Sequence, residues 1–261
     1  MPRCTPQPRR RWPLTLALSV HVTLGIGAAS GQVSNYTRSH DNARTGANLD
    51  ETILTPANVN SASFGKLFTV HTDGEVYAQP LYVSNLKIAG GTHNVVYVAS
   101  MLNTIYALDA DTGAALWTRN FGTSISPSEV EDDQNISWNT GLGILGTPVI
   151  DPATHYMYFV TSNEVQVNGA NVYQNHLNAI DILTGQPVLG SPVNIEATYQ
   201  TTDLITPIVF NVKKQNQRAS LVLAKGNVYI AWGSHDDSKP YHGWVMAYSA
   251  SSLAQLSLIH I

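Results

Sequence analysis

Tyr106-Ala-Leu-Asp-Ala-Asp-Thr-Gly-Ala-Ala-Leu-Trp117 is the stretch on which the fold turns. Asp109 and Asp111 open like a calcium loop, but counted from Asp109 position five is Gly113 and position twelve is Asn120. The bidentate acid that closes such a loop is missing. A hairpin turn fits instead: the aspartate accepts backbone hydrogen bonds, and the glycine takes the positive φ of a tight reversal. The stretch therefore predicts strand, turn and outer strand, with Trp117 packing against a neighbouring sheet.

The pattern recurs. Asn94-Val-Val-Tyr-Val-Ala-Ser100 precedes this turn, Tyr156-Met-Tyr-Phe-Val-Thr-Ser162 precedes Leu177-Asn-Ala-Ile-Asp-Ile-Leu-Thr-Gly185, and Asn227-Val-Tyr-Ile-Ala-Trp-Gly-Ser234 precedes Trp244-Val-Met-Ala-Tyr-Ser249. Asp109, Asp181 and Ser249 stand 72 and 68 residues apart. Each unit follows a proline-led strand: Gln79-Pro-Leu-Tyr-Val83, Gly146-Thr-Pro-Val-Ile-Asp151 and Ile205-Thr-Pro-Ile-Val209. Gly65-Lys-Leu-Phe-Thr-Val-His71 also reads as a strand, from its β-branched and aromatic content. Four strands repeating radially make a propeller blade. The interval exceeds the roughly forty to fifty residues of common blades, so the loops carry insertions. The predicted fold is all-β: a partial β-propeller of about three four-stranded blades.

Composition agrees. Only 12% of the 261 residues are charged, with 19 Gly and 13 Pro, and strongly periodic helices are hard to find. Residues 1–31 read as a secretory signal peptide: Arg3, Arg9, Arg10 and Arg11, an apolar run from Trp12 to Ile26, and Ala29-Ser30-Gly31 before Gln32. The expected location is periplasmic or extracellular. Removing the four leader arginines leaves 10 basic against 18 acidic residues, a net charge of −8. That acidity, without basic clusters, argues against nucleic acid. No later segment is apolar enough to span a bilayer. The single cysteine, Cys4, leaves with the leader, so the mature chain has no thiolate nucleophile, disulfide or cysteine metal site.

Tyr97-Val-Ala-Ser100, Ala107-Leu-Asp-Ala-Asp-Thr-Gly113 and Leu116-Trp117 resemble the PQQ-like repeat of the quinoprotein alcohol dehydrogenase-like β-propellers. The resemblance covers roughly Gly65 to Gln255 and extends to a lead-in with Asp41-Asn-Ala-Arg-Thr-Gly-Ala-Asn48. Gln215-Asn-Gln-Arg218, Ser234-His-Asp-Asp237 and Pro240-Tyr-His-Gly-Trp244 resemble a group of exported bacterial members. The resemblance implies seven or eight blades. In the superfamily's enzymes it implies a quinone on the axis, a calcium ion, an aspartate base, a tryptophan floor and often adjacent cysteines. No adjacent cysteine pair exists, and no aspartate stands out as the base. Glu75 lies near the position of a cofactor-contacting glutamate, and Trp138 and Trp232 are floor candidates that equally suit packing between blades. PQQ and calcium are therefore implied by resemblance only.

Two polar stretches are the candidate site for a ligand or partner: Gln215, Asn216, Gln217 and Arg218, and the loop with His235, Asp236, His242 and Trp244. His235, Asp236, Asp237 and His242 are metal-competent side chains, but a polar surface loop is the expected reading and no metal is assigned. Arg218 suits a carboxylate, on a ligand or a neighbour. Glu129, Glu131, Asp132 and Asp133 read as a solvated acidic face. No G-x-S-x-G elbow is present.

The chain divides into the leader at 1–31, a lead-in at 32–64, blades at 65–255 and a tail at 256–261. The tail, Leu256-Ser-Leu-Ile-His-Ile261, reads as the translation of a sequencing-adapter sequence, and the chain as a truncated piece expected to self-associate through open blade faces. The expected function is that of a binding or protein-interaction module, its partner an unknown protein or small molecule. The alternatives are the N-terminal part of a PQQ-dependent alcohol or sugar dehydrogenase, and an outer-membrane assembly scaffold, which the missing lipid-attachment cysteine disfavours.

Overall fold

Runs of β-branched and aromatic residues form strands, and the chain reverses where left-handed backbone is tolerated. Ala89-Gly90, Asn168-Gly169 and Lys225-Gly226 all have positive φ and close two-residue hairpins, the twist that matches flanking strands. The computed structural model describes residues 33–130, 140–200, 206–235 and 242–260. The leader, Trp138, Glu131, Asp132, Asp133, Asp236, Asp237, Pro240 and Tyr241 lie outside the described residues.

Blade 1 is an antiparallel sheet of β1 (Leu81–Ile88), β2 (Gly91–Ala99), β3 (Thr104–Asp109) and β4 (Ala115–Asn120) in sequence order. Blade 2 is β5 (Val149–Asp151), β6 (Tyr156–Val167), β7 (Ala170–Asp181) and β8 (Val193–Asn194). A separate pair follows, β9 (Thr198–Tyr199) with β10 (Ile208–Val209). In blade 3, β11 (Gln215–Asn216) and β12 (Val222–Ala224) share the inner position against β13 (Asn227–Ser234), with β14 (Trp244–Ser249) and β15 (Gln255–His260) outside. These are three consecutive blades of a β-propeller. Among the described residues there is no α-helix, and no helix is long and apolar enough to cross a membrane.

The repeat is structural. The N–H groups of Asp109, Asp181 and Ser249 donate to Ala114, Gln186 and Ala254 at 2.8, 3.0 and 2.8 Å. Those of Gly113, Gly185 and Leu253 donate back to Asp109, Asp181 and Ser249, each at 2.8 Å. The Asp109 carboxylate accepts the Asp111 and Thr112 N–H groups and the Thr112 hydroxyl, so the opening motif is a turn.

Blades join by a second repeated rule. Tyr97, Tyr158 and Tyr229 stand opposite Ala107, Ala179 and Ala247. The Tyr97 hydroxyl donates across to the Ile182 carbonyl at 3.0 Å, and Tyr158 donates to Ala250 at 2.7 Å. Ile182 and Ala250 each follow the turn aspartate or serine. Trp117 donates its indole N–H to the same Ile182 carbonyl at 2.9 Å and covers Gly185, as a packing residue between blades does. Leu81, Val95, Ile105, Met157, Phe159 and Ile180 fill one interface, and Val160, Leu177, Ile230, Trp232 and Met246 the other.

The lead-in runs along the inner edges of all three blades. Asn35 bridges Tyr82, Tyr36 accepts from Ile150 N–H at 2.8 Å, Asn42 reaches the Leu223 carbonyl and Arg44 the Leu221 carbonyl. These bonds satisfy backbone groups that inner strands would otherwise leave as raw edges.

Two expectations change, and blade 2 departs from the pattern of blade 1. Gly65–His71 pairs with no strand among the described residues, and Leu67 is 84% exposed. The proline-led segment ending at Val209 does not enter blade 3. Phe210 packs edge-on to Trp232 and Trp244, with centroids 5.2 and 5.7 Å away, which holds the segment at the rim while β11 and β12 take the inner place. In blade 2, Pro187 only bridges Ile180, and the outer strand proper is Val193–Asn194.

Candidate functional site

At the end where β1 begins and β2 turns into β3, here the upper end, the two candidate stretches meet. Gln215 pairs with Ser234, Asn216 with Gly233, and the His235 N–H donates to the Lys214 carbonyl at 3.0 Å. Gln215, Asn216, Gln217, His235 and Trp244 are buried, His242 is half-buried and Arg218 is exposed, while Asp236 lies outside the described residues. The Gln215 carboxamide oxygen accepts the Asn211 N–H at 2.6 Å, and Gln217 donates to the Ala219 carbonyl at 2.7 Å. Gln217 also packs on Gly146, where an added Cβ would meet its Oε1 at 2.4 Å. Burial pushes the His235 imidazole down to about 4, so it is neutral at pH 7. The packing of Gln217 on Gly146 braces blade 3 against the entry of blade 2.

The open feature beside them is a groove of about 530 Å³ that includes Tyr173, Ile195, Glu196, Val209, Phe210 and Val212. At the Tyr173 side, the tyrosine hydroxyl donates to the Glu129 carboxylate at 2.7 Å. Lys213 Nζ lies 3.7 Å from that carboxylate and 4.9 Å over the Tyr173 ring. The hydrogen bond to Glu129 raises the Tyr173 hydroxyl above its ordinary value. Sequence reasoning missed this cluster because its members come from three separate segments. It also left Glu129 in a solvated acidic face, whereas the side chain is held by Tyr173 and Lys213.

Other acids at the upper end also hold the chain together. Asp73 accepts hydrogen bonds from Ser100 and Thr104, and its N–H donates to the Tyr106 hydroxyl. Burial opposes ionisation of Asp73, yet the bonds from Ser100, Thr104 and Tyr106 keep its carboxyl below the usual range. Glu75 accepts from Thr140, and its carbonyl accepts the Met101 N–H. At the opposite end, His93 lies 2.7 Å from Asp109, and that contact with the Thr112 bonds pushes the carboxyl down to about 2.

Calcium requires six to eight converging oxygens, with carboxylates among them. Among the described residues no three His, Cys, Asp or Glu side chains converge. Asp73 and Glu75 already accept hydroxyl hydrogen bonds, and the floor candidate Trp232 donates to Asn175 at 3.0 Å between blades. Among the described residues, the donor set does not fit a calcium ion of the kind that accompanies a quinone.

No protein-family model matches the chain, and no curated protein matches it. Among solved structures, the chain is similar to a quinohemoprotein alcohol dehydrogenase from Comamonas testosteroni at 13% identity and TM-score 0.42, over 72% of this chain and 31% of that one. It is similar to a quinohemoprotein alcohol dehydrogenase from Pseudomonas putida HK5 at 12% identity and TM-score 0.38, over 70% and 30%. BamB from Moraxella catarrhalis is matched at 13% identity and TM-score 0.16, over 73% and 71%. The chain thus spans about a third of the length of the two dehydrogenases. The propeller assignment rests on this chain's own blades and their repeat.

Proposed function

We propose that this protein is an exported propeller module that binds a protein segment or small molecule in the upper groove, rather than an oxidoreductase. One observation carries the reading. The described acids Asp73, Glu75 and Glu129 are engaged in contacts that hold the fold, whereas the groove combines buried apolar Ile195, Phe210 and Val212 with exposed polar Asn194, Glu196 and Thr198. That is the lining of a binding site, and an acid–base pair poised for proton transfer needs groups in different and accessible environments.

Two measurements test it. The full mature chain is titrated with PQQ and Ca²⁺ by calorimetry, with dye-linked alcohol oxidation followed in parallel. Neither binding nor dye reduction is expected, and stoichiometric binding with turnover would overturn the reading in favour of a dehydrogenase. The chain is also screened against a displayed library of extended peptides. Binders lost in Val209→Asp support the groove, because Val209 is exposed at its edge; binders indifferent to that change remove it. Export is checked by expressing the chain with its leader in a bacterium and sequencing the exported N-terminus, expected at Gln32.

A further inference from the structure

β6 and β7 run on as a hairpin past the point where blade 1 turns. Blade 1 reverses just after Ser100, whereas the β6–β7 ladder continues from Ser162 opposite Asn175 to Val167 opposite Ala170 with no shift of register. Backbone groups along such a strand point alternately to either side. The Val167–Ala170 pair closes the two-residue turn, so even-numbered residues of β7 bond to β6 and odd-numbered ones face the other way. The bonds on that other side agree. The Ala179 carbonyl accepts the Val188 N–H, and the Asn175 carbonyl accepts the Ile195 N–H, each at 2.9 Å.

Cover on that side stops at Ile195. The chain turns away, and the Ala197 carbonyl accepts the Phe210 N–H at 2.9 Å instead. Tyr173 and Asn171 continue the outward row of β7. Among the described residues, none pairs with their outward N–H and C=O groups. The hairpin's opposite edge is held, with the Glu164 N–H donating to the Thr123 carbonyl at 3.0 Å.

This open row borders the upper groove, whose lining includes Val172, Tyr173 and Gln174. Asn171 and Tyr173 offer two donor–acceptor pairs about 7 Å apart, the two-residue repeat of an extended backbone. Strand spacing, sheet spacing and rise per residue together give about 160 Å³ for each residue of extended chain. The groove of about 530 Å³ therefore takes about three residues. Directly opposed residues on neighbouring strands share a face. A residue added opposite Tyr173 thus has its side chain on the face of Asn175 and Ile195, and Ile195 belongs to the apolar cluster of Phe210 and Val212.

We propose that the occupant of the groove is an extended peptide segment, added as a strand to the β7 edge at Tyr173 and Asn171, with an apolar side chain opposite Tyr173. The proposal rests on the groove being the binding site, and it names what the groove holds. Exposed Glu196 in the lining disfavours acidic segments.

The probes are the displayed peptides whose binding Val209→Asp removes. Each is resynthesised with a single backbone N-methyl group at successive positions and titrated against the full mature chain by fluorescence anisotropy. Affinity is expected to fall roughly tenfold at alternate positions across the bound residues and little between them. On the protein, Asn171→Pro removes an outward donor while leaving the bonds to β6, as proline does at a strand edge. It is expected to weaken the same peptides by a similar factor, with Asn171→Ala close to the unaltered chain and circular dichroism unchanged in both. Should Asn171→Pro fail to fold, the N-methyl series on the unaltered chain decides. Peptides that depend on Val209 but tolerate N-methylation everywhere overturn strand addition and leave the groove as a binding site. The absence of any Val209-dependent peptide overturns the proposal together with a peptide role for the groove.

Discussion

Leu253 occupies a position that Gly113 and Gly185 hold in the other two blades. All three have left-handed backbone, with φ of 59°, 77° and 67°. A side chain there costs about 1 kcal/mol or more, but Leu253 is buried in the core, which contributes about 2 kcal/mol. Leu253→Gly is therefore expected to destabilise by about 1 kcal/mol in urea unfolding, whereas a glycine at a left-handed position would otherwise help. Gly185→Ala meets both the backbone penalty and the Trp117 ring, and is expected to cost about 2 kcal/mol. Gly113→Ala meets Phe68, which is partly exposed and free to swing aside, so its expected cost is smaller. His235 gives a pH test. Its folded value of about 4 lies below the ordinary 6.5, so the unfolded chain binds the extra proton first. Stability is full above pH 6.5, falls between 6.5 and 4, and levels off below, a loss of roughly 3 kcal/mol. Denaturation midpoints across that range are expected to lose this part of their slope in His235→Leu. The turn glycines were legible in the sequence because their φ requirement is local; the burial of His235 was not, because it depends on Gln215 and Asn216, which pair with Gly233 and Ser234 only in the folded sheet.

At the scale of elements, the tyrosines opposite Ala107, Ala179 and Ala247 separate contact from composition. Tyr158→Phe removes the described donor to the Ala250 carbonyl and is expected to cost about 1 to 2 kcal/mol. Tyr97→Phe leaves Trp117 still donating to Ile182, so the expected cost is about 1 kcal/mol or less. Tyr229→Phe should leave the stability of the isolated chain unchanged, since its hydroxyl meets no described partner. Equilibrium unfolding of the three variants checks the order, and an equal cost at all three would show that the hydroxyls are not what joins the blades. Blade 3 shows where strand reading failed. Pro207-Ile-Val209 has the right composition for an inner strand, yet composition does not choose among competing edges, and Phe210 anchors the segment to the rim.

At the scale of the whole molecule, the lead-in ties three blades through a few side chains. Arg44 donates to the Thr37 hydroxyl and to the Arg38 and Leu221 carbonyls. Arg44→Ala is expected to lower stability by about 1 to 2 kcal/mol and to speed proteolysis between residues 34 and 46, read by mass spectrometry of a timed digest. Apolar side chains also remain open on the molecule, among them Phe64 and Leu67 on the lead-in side and Leu256 and Ile259 on β15. Sedimentation at rising concentration is expected to show association that Leu67→Asp with Ile259→Asp reduces.

By itself the sequence determined the blade. The alternation of apolar residues, the Asp-x-x-Thr-Gly turns and the spacing from Asp109 to Asp181 to Ser249 are local signals, set by φ preferences and by one face of each strand avoiding water. Only the tertiary structure decided which polar residues are structural and which surface is open. Gln217 and His235 read from the sequence as parts of polar surface stretches, and the structure buries both, while Glu129, Tyr173 and Lys213 share no signal until three distant segments meet. Burial and proximity depend on the docking of whole sheets, which no single stretch of residues encodes.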